Sequence, residues 1–210
     1  FLYERGTQLI LLDQNKEKLS ELAQKLPGSA FFTIDICNES QMHKLFNKIK
    51  KMNGGIDGLI NSAGMFSMEP SLNMNPQHFR QCIDINLSGA LILSQLAARL
   101  MARDGGRIIH FASVSSKVAN AEYASYSSSK AALAQLVKVL AREWAKKEIL
   151  VNAIGPAMIE GGGLGSYSPK EIGPSEVNEK NGVIDLVAKD ESEATDFAKK
   201  ILSYFQGDLV

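Results

Sequence analysis

Ser113, Tyr126 and Lys130 are the residues of this chain best suited to reaction chemistry, standing in the order that carbonyl reduction needs, with Asn61-Ser62-Ala63-Gly64 and Asn86 upstream. Tyr126 and Lys130 are four positions apart in Tyr126-Ser127-Ser128-Ser129-Lys130, so on a helix both project from one face. A phenol with an ordinary pKa of about 10 is a poor base at neutral pH, and a fixed cation beside it favours the phenolate. The pair would then serve as a proton donor to a nascent alkoxide. Five tyrosines, with a lysine at about one position in twelve, give about 0.4 such spacings by chance, so the surroundings must carry the assignment.

The surrounding pattern is an alternation of short apolar runs and longer amphipathic stretches. Residues 8–13, 31–35, 58–63, 107–113 and 149–154 are expected to form buried strands, and residues 16–25, 40–52, 76–103 and 124–147 helices. Strands alternating with helices imply an α/β fold: a doubly wound, Rossmann-like parallel sheet with right-handed crossovers. Ligands of such sheets bind at the carboxyl ends of the strands. Asp13, Asp35, Asn61 to Gly64 and Ser113 close the first four strands, and Pro156 lies just past the fifth. A carboxylate ending a strand of a dinucleotide-binding unit can accept both adenosine ribose hydroxyls and repel a 2′-phosphate, which makes Asp13 a vote for NAD over NADP. Asp13-Gln14-Asn15 also reads as a plain strand-end turn or the start of a helix cap.

Composition narrows the function classes. The 210 residues are 45% apolar and 22% charged with a formal net charge of zero, ordinary globular values that argue against electrostatic binding of nucleic acid or anionic membrane. Cys37 and Cys82 form no Cys-x-x-Cys pair, and His43, His78 and His110 stand in no metal-ligand spacing, so neither a disulfide nor zinc is indicated. A reducing cytoplasm and a small-molecule partner fit this composition. The apolar stretch 90–102 is cut by Ser94, Gln95 and Arg99, too short and polar to span a bilayer, and no signal peptide is evident.

The neutral total conceals an asymmetry. Residues 1–157 carry 18 Lys or Arg against 13 Asp or Glu, a net of +5, and residues 158–210 carry 5 against 10, a net of −5. The second segment also holds 7 of the 17 glycines, including Gly161-Gly162-Gly163-Leu164-Gly165, a loop or linker. After it come an expected strand at 183–187 and a helix at 191–205, with acids in its first turn and lysines later, as the helix dipole favours. No Gly-x-x-x-Gly-x-Gly or Gly-x-Gly-x-x-Gly loop follows any strand, so the usual phosphate cradle is missing. The expectation is therefore a fold incomplete at its N-terminus, lacking a first strand and glycine loop, followed by a C-terminal βα unit.

Taken together, Asp13, Asp35-Ile36, Asn61-Ser62-Ala63-Gly64, Asn86, Ser113, Tyr126-x-x-x-Lys130 and Asn152-x-x-x-Pro156 resemble the short-chain dehydrogenase/reductase family over residues 1–157. That resemblance implies an oxidoreductase moving a hydride between NAD(H) and a secondary alcohol or ketone. Tyr126 would exchange the proton, Ser113 would hydrogen-bond the reacting oxygen, and Lys130 would hold the nicotinamide ribose and lower the tyrosine pKa. Asn86 would position a water linking Lys130 to solvent. Asp35 and Ile36 would lie against the adenine, Asn61, Ala63 and Gly64 beside the adenosine ribose and central sheet, and Pro156 and Ile159 at the nicotinamide. The family also implies homodimers or homotetramers built on the two long helices. Tyr123 is a rival phenol whose residue four positions on is Ser127, not a cation, while His110 reads as a packed residue and Met65 and Met68 as pocket or core fillers.

Residues 156–210 depart from that pattern. Ala157 replaces the family's usual glycine, and Gly155 to Gly165, Glu171-Ile172-Gly173-Pro174 and Asn181 to Asp185 resemble a stretch of the carboxyltransferase domain of acyl-CoA carboxylases. The acyl-CoA and biotin-facing glycine motifs of that family are absent, so no catalytic residue follows from it. Three alternatives stand: a carboxyltransferase-linked fusion, a non-catalytic Rossmann remnant, or a divergent tail of the dehydrogenase itself.

Overall fold

A computed structural model describes residues 2–101, 105–155 and 190–203. Its strands are β1 (Ile10–Asp13), β2 (Ala30–Thr33), β3 (Gly58–Asn61), β4 (Gly106–Phe111) and β5 (Ile149–Ile154). The helices are α1 (Lys16–Lys25), α2 (Glu39–Asn53), α3 (Pro76–Ile83), α4 (Gly89–Met101), α5 (Ala124–Trp144) and α6 (Glu191–Ser203). The connections from β1 to β2, β3 to β4 and β4 to β5 each return the chain parallel to its start, giving the expected Rossmann-like α/β fold. The strand expected at 183–187 lies outside the described residues.

Two features differ from expectation. The strands form two parallel sheets, β1-β2 and β3-β4-β5, instead of one, because no described strand bonds to both β1 and β3. Both sheets nonetheless lean on one apolar core: Ile10, Leu12 and Phe32 from the first and Leu59, Ile108 and Val151 from the second belong to the same cluster, with Met42, Phe46, Leu93, Leu96 and Val137 from the helices. The expected helix 76–103 is interrupted by a wide, π-type turn at Asp84–Ser88. Gly89 leaves that turn with its backbone N–H on the Asp84 carbonyl, five residues back. A Cβ at Gly89 would fall 2.9 Å from Ile36 Cδ1, so glycine lets the helix close on the loop after β2.

Helix starts follow a repeated local rule. Asn15, Asn38 and Asn75 cap α1, α2 and α3, their side-chain oxygens accepting from the backbone N–H of Lys18, Gln41 and Gln77 at 2.9, 3.0 and 2.9 Å. Pro76 occupies the first turn of α3, where its missing N–H costs nothing.

Candidate active site

Ser113 ends the extended run of β4, past Ala112, whose N–H donates to the Ile154 carbonyl of β5 at 2.8 Å. Its Oγ accepts from Ser115 N–H at 3.1 Å, which closes a short turn and holds the side chain in place. Tyr126 and Lys130 stand on the first turns of α5, and Asn86 sits in the wide turn; all four residues are buried, at 3%, 5%, 5% and 1% exposure. The structure thus brings together the four residues assigned to catalysis. A wide turn often marks a functional position, and here it swings Asn86 toward β3 and α5.

Asn86 is the brace of the site. Its Oδ1 accepts from Met65 N–H at 2.7 Å, and its Nδ2 donates to the Met65 carbonyl and to Ser129 Oγ, both at 2.9 Å. Ser129 Oγ passes its own proton to the Tyr126 carbonyl at 2.7 Å. The loop after β3 is thereby tied to the turn of α5 that carries the phenol. Gly64 keeps this junction roomy: a Cβ there would lie 3.2 Å from Asn86 Oδ1 and 3.4 Å from Lys130 Nζ, tighter than ordinary contact. Both amide protons of Asn86 are engaged by protein atoms, so the side chain acts as a strut.

Burial pushes the Tyr126 phenol above its ordinary pKa, and a hydrogen bond from Ser113 works against that rise. Burial likewise holds the Lys130 ammonium below its ordinary value. The expectation that Lys130 lowers the phenol is not met here, because desolvation dominates and the ammonium donates to the Phe111 carbonyl at 2.7 Å, 5.8 Å from the centroid of the ring it overlies. A phenol held up in this way is protonated at neutral pH and ready to donate.

Around the phenol stands an aromatic wall. Phe66 meets Tyr126 at 5.0 Å and Tyr123 at 5.2 Å between ring centroids, both edge-to-face. Glu69 N–H donates to the Glu122 carbonyl at 2.9 Å and joins the two loops that carry these rings. The Tyr123 ring lies 6.3 Å from that of Tyr126 between centroids, also edge-to-face.

Residues assigned to the cofactor divide into two groups. Asn61 is buried beside His110, and Ala63 N–H donates to Asn61 Oδ1 at 3.2 Å. Asp13 and Asp35 are exposed and serve their own turns, accepting from Asn15 N–H at 2.7 Å and Cys37 N–H at 2.9 Å. Asp35 also faces Cys37, Arg80 and Asp84 across a cleft of about 310 Å³. There the Cys37 thiol is pushed up to about 11 by burial and by the two carboxylates. Ile36 packs on the core, whereas Pro156 and Ile159 lie outside the described residues. Sequence reasoning missed Ser129, Ser94 and Phe66; the three-residue spacing of Ser129 from Tyr126 was the available signal for the first. Among the described residues no three His, Cys, Asp or Glu side chains converge as a metal site.

The short chain dehydrogenase family matches residues 1–171. The chain belongs to the short-chain dehydrogenase family. Among its relatives, the NAD-dependent glycerol dehydrogenase of Listeria innocua is 34% identical over 158 residues, 74% of this chain and 62% of that protein. Carbonyl reductase family member 4 of Danio rerio is 33% identical over 160 residues, covering 75% and 68%. The solved gluconate 5-dehydrogenase of Burkholderia cenocepacia, in complex with NADP and tartrate, superimposes with a TM-score of 0.70 at 29% identity over 74% of this chain and 63% of that one. The chain therefore spans less than two thirds of the length of the glycerol and gluconate enzymes. Its family match runs to residue 171, past residue 157, where the sequence led us to expect the family pattern to stop. Among its described residues no helix is long and apolar enough to cross a membrane.

Proposed function

We propose that this protein reduces a ketone, or oxidises the matching secondary alcohol, with a nicotinamide dinucleotide as hydride partner. One observation carries the reading: a buried phenol hydrogen-bonded by Ser113, with the Lys130 ammonium over its ring, at the carboxyl end of β4. The donor set suits the nicotinamide half of such a cofactor. Lys130 commits one donor to the Phe111 carbonyl and keeps two N–H bonds for ribose hydroxyls. Asn61, Ala63 and Gly64 would run beside the adenosine ribose, Asp35 and Ile36 against the adenine, and Asp13 would take the ribose hydroxyls, which supports NAD over NADP. When bound, the nicotinamide supplies or accepts the hydride.

The residues then act on the oxygen of the substrate. Ser113 donates a hydrogen bond to the carbonyl oxygen as charge grows there, and Tyr126 O–H delivers the proton. Burial of Tyr126 favours its protonated form, which suits reduction at neutral pH, while oxidation needs the phenolate and speeds up as pH rises. Substituents on the carbonyl would lie against Phe66 and Tyr123. Pairing of copies through α3 to α5 belongs to the same proposal, supported by the exposed Phe79 and Val139 on those helices.

The pyrophosphate half finds less. The N-termini of α1, α2 and α3 are each closed by an asparagine side chain, which leaves no glycine cradle on these helices. NADH-induced thermal shift, followed by an NADH-consumption assay on a ketone panel with wild type and Tyr126→Phe, tests the reading. Binding with ketone-dependent turnover that falls by about 10²–10⁴ in Tyr126→Phe is expected. Equal activity of the two proteins removes the tyrosine mechanism. The carboxyltransferase likeness of residues 156–210 rests on short motifs, and removal of those residues tests it: a dehydrogenase tail costs the protein ketone turnover, a fused segment does not.

A further inference from the structure

His110 stands on β4 directly opposite Asn61 of β3 in the parallel register, with no exposed surface. Its Nδ1 lies 3.1 Å from Asn61 Nδ2, and its Nε2 lies 2.8 Å from Ser94 Oγ on α4. Protons can be assigned from the outer partners. Ser94 Oγ gives its single proton to the Ala90 carbonyl at 2.7 Å, so toward His110 it can only accept, and Nε2 must carry a hydrogen. Asn61 Oδ1 accepts from Ala63 N–H, so its amide nitrogen points at Nδ1, which must accept. Only the neutral Nε2–H tautomer satisfies both ends.

We propose that His110 is a positioning residue of the site: as its Nε2–H tautomer it holds Asn61, and through Asn61 the 61–65 loop whose Met65 backbone anchors Asn86. The inference rests on the reaction assigned above. A hydrogen at Nδ1 would face the Asn61 amide donors, and turning that amide would set its donors against Ala63 N–H, so either change releases the loop. Burial, followed by the Lys130 charge on α5, holds His110 down to about 4, which keeps it neutral in the working range. The neighbours on β3, α4 and β5 are Asn61, Ser94 and the register partner Ala153, none of which titrates.

Three substitutions separate positioning from packing. An asparagine places an acceptor where Nδ1 stands, a glutamine places a donor where Nε2 stands, and a leucine offers neither. His110→Asn is expected to keep kcat within about threefold, while His110→Gln and His110→Leu lose at least about tenfold, whatever the order of their Tm values. If kcat follows Tm across the three, or if Gln and Leu retain full kcat, His110 is packing only and the proposal fails. Should the variants not fold, the long-range ¹⁵N–¹H spectrum of the wild-type imidazoles still decides: a hydrogen on Nε2 supports the proposal and one on Nδ1 overturns it. Tyr126→Phe is assayed in parallel. Full activity there overturns the assigned reaction and leaves the tautomer to be judged by its own spectrum.

Discussion

The β3-β4-β5 half of the molecule and the β1-β2 half hold polar groups in different ways. In the first, Asn61, Asn86, Ser94, His110, Ser113, Ser129 and Lys130 are buried. Most of them bond to partners 16 to 49 residues away, such as Asn86 to Ser129 and Asn61 to His110. In the second, Asp13 and Asp35 are exposed and bond to the N–H two residues on. A buried donor that loses its partner cannot turn to water, whereas an exposed carboxylate can. The chemical half should therefore be brittle and the other half tolerant.

The largest test of that contrast is Ser113→Ala. Loss of its hydrogen bond to the reacting oxygen should lower kcat by about 10²–10³ with little change in cofactor binding. In the same assays the raised phenol gives opposite pH trends: alcohol oxidation climbs into the alkaline range, and ketone reduction falls there. An oxidation rate independent of pH would dismiss Tyr126 as the base.

Next in size is the acid limb of stability. His110 falls from 6.5 to about 4 on folding, so the unfolded chain binds a proton that the native one refuses. The associated stability is complete above pH 6.5 and drains away as pH drops toward 4, by up to about 3 kcal/mol. Urea unfolding of wild type and His110→Asn across that window measures it; parallel curves for the two would show that His110 does not cause the loss.

Asn86→Ala should cost about 1–3 kcal/mol, since it orphans Met65 N–H and Ser129 in the interior. Chemical denaturation reads the loss, and a change under 0.5 kcal/mol would make the strut dispensable. The smallest stability effect belongs to the other half: Asp13→Ser should shift stability by no more than about 0.5 kcal/mol. Its signature is instead a move of the kcat/KM ratio toward NADPH, and an unchanged ratio would leave Asp13 as a turn residue alone.

Local chemistry accounts for what could be read early. β5 and α1 have the expected ends, and β1 to β4, α2 and α5 came within a few residues, because apolar runs and capping asparagines act over a few positions. The Tyr126 and Lys130 spacing could be read for the same reason, since one helical turn sets it. The wide turn at Asn86 escaped notice: nothing in Asp84-Ile85-Asn86-Leu87-Ser88 breaks a helix, and the turn closes where Ile36 and Met65 press on it. His110 reads as a packed residue, which its burial bears out, and its partners lie 16 and 49 residues away, beyond the reach of local pattern.

The amino-acid sequence by itself determined the alternation of strands and helices, the family and the identity of Ser113, Tyr126, Lys130 and Asn86, because periodicity and short spacings are properties of neighbours along the chain. Tertiary structure alone decided the direction of the phenol's shift, the Asn86 strut and the partners of His110. Desolvation and buried hydrogen bonds depend on which distant segments exclude water from a group, and that is settled only when the chain has folded.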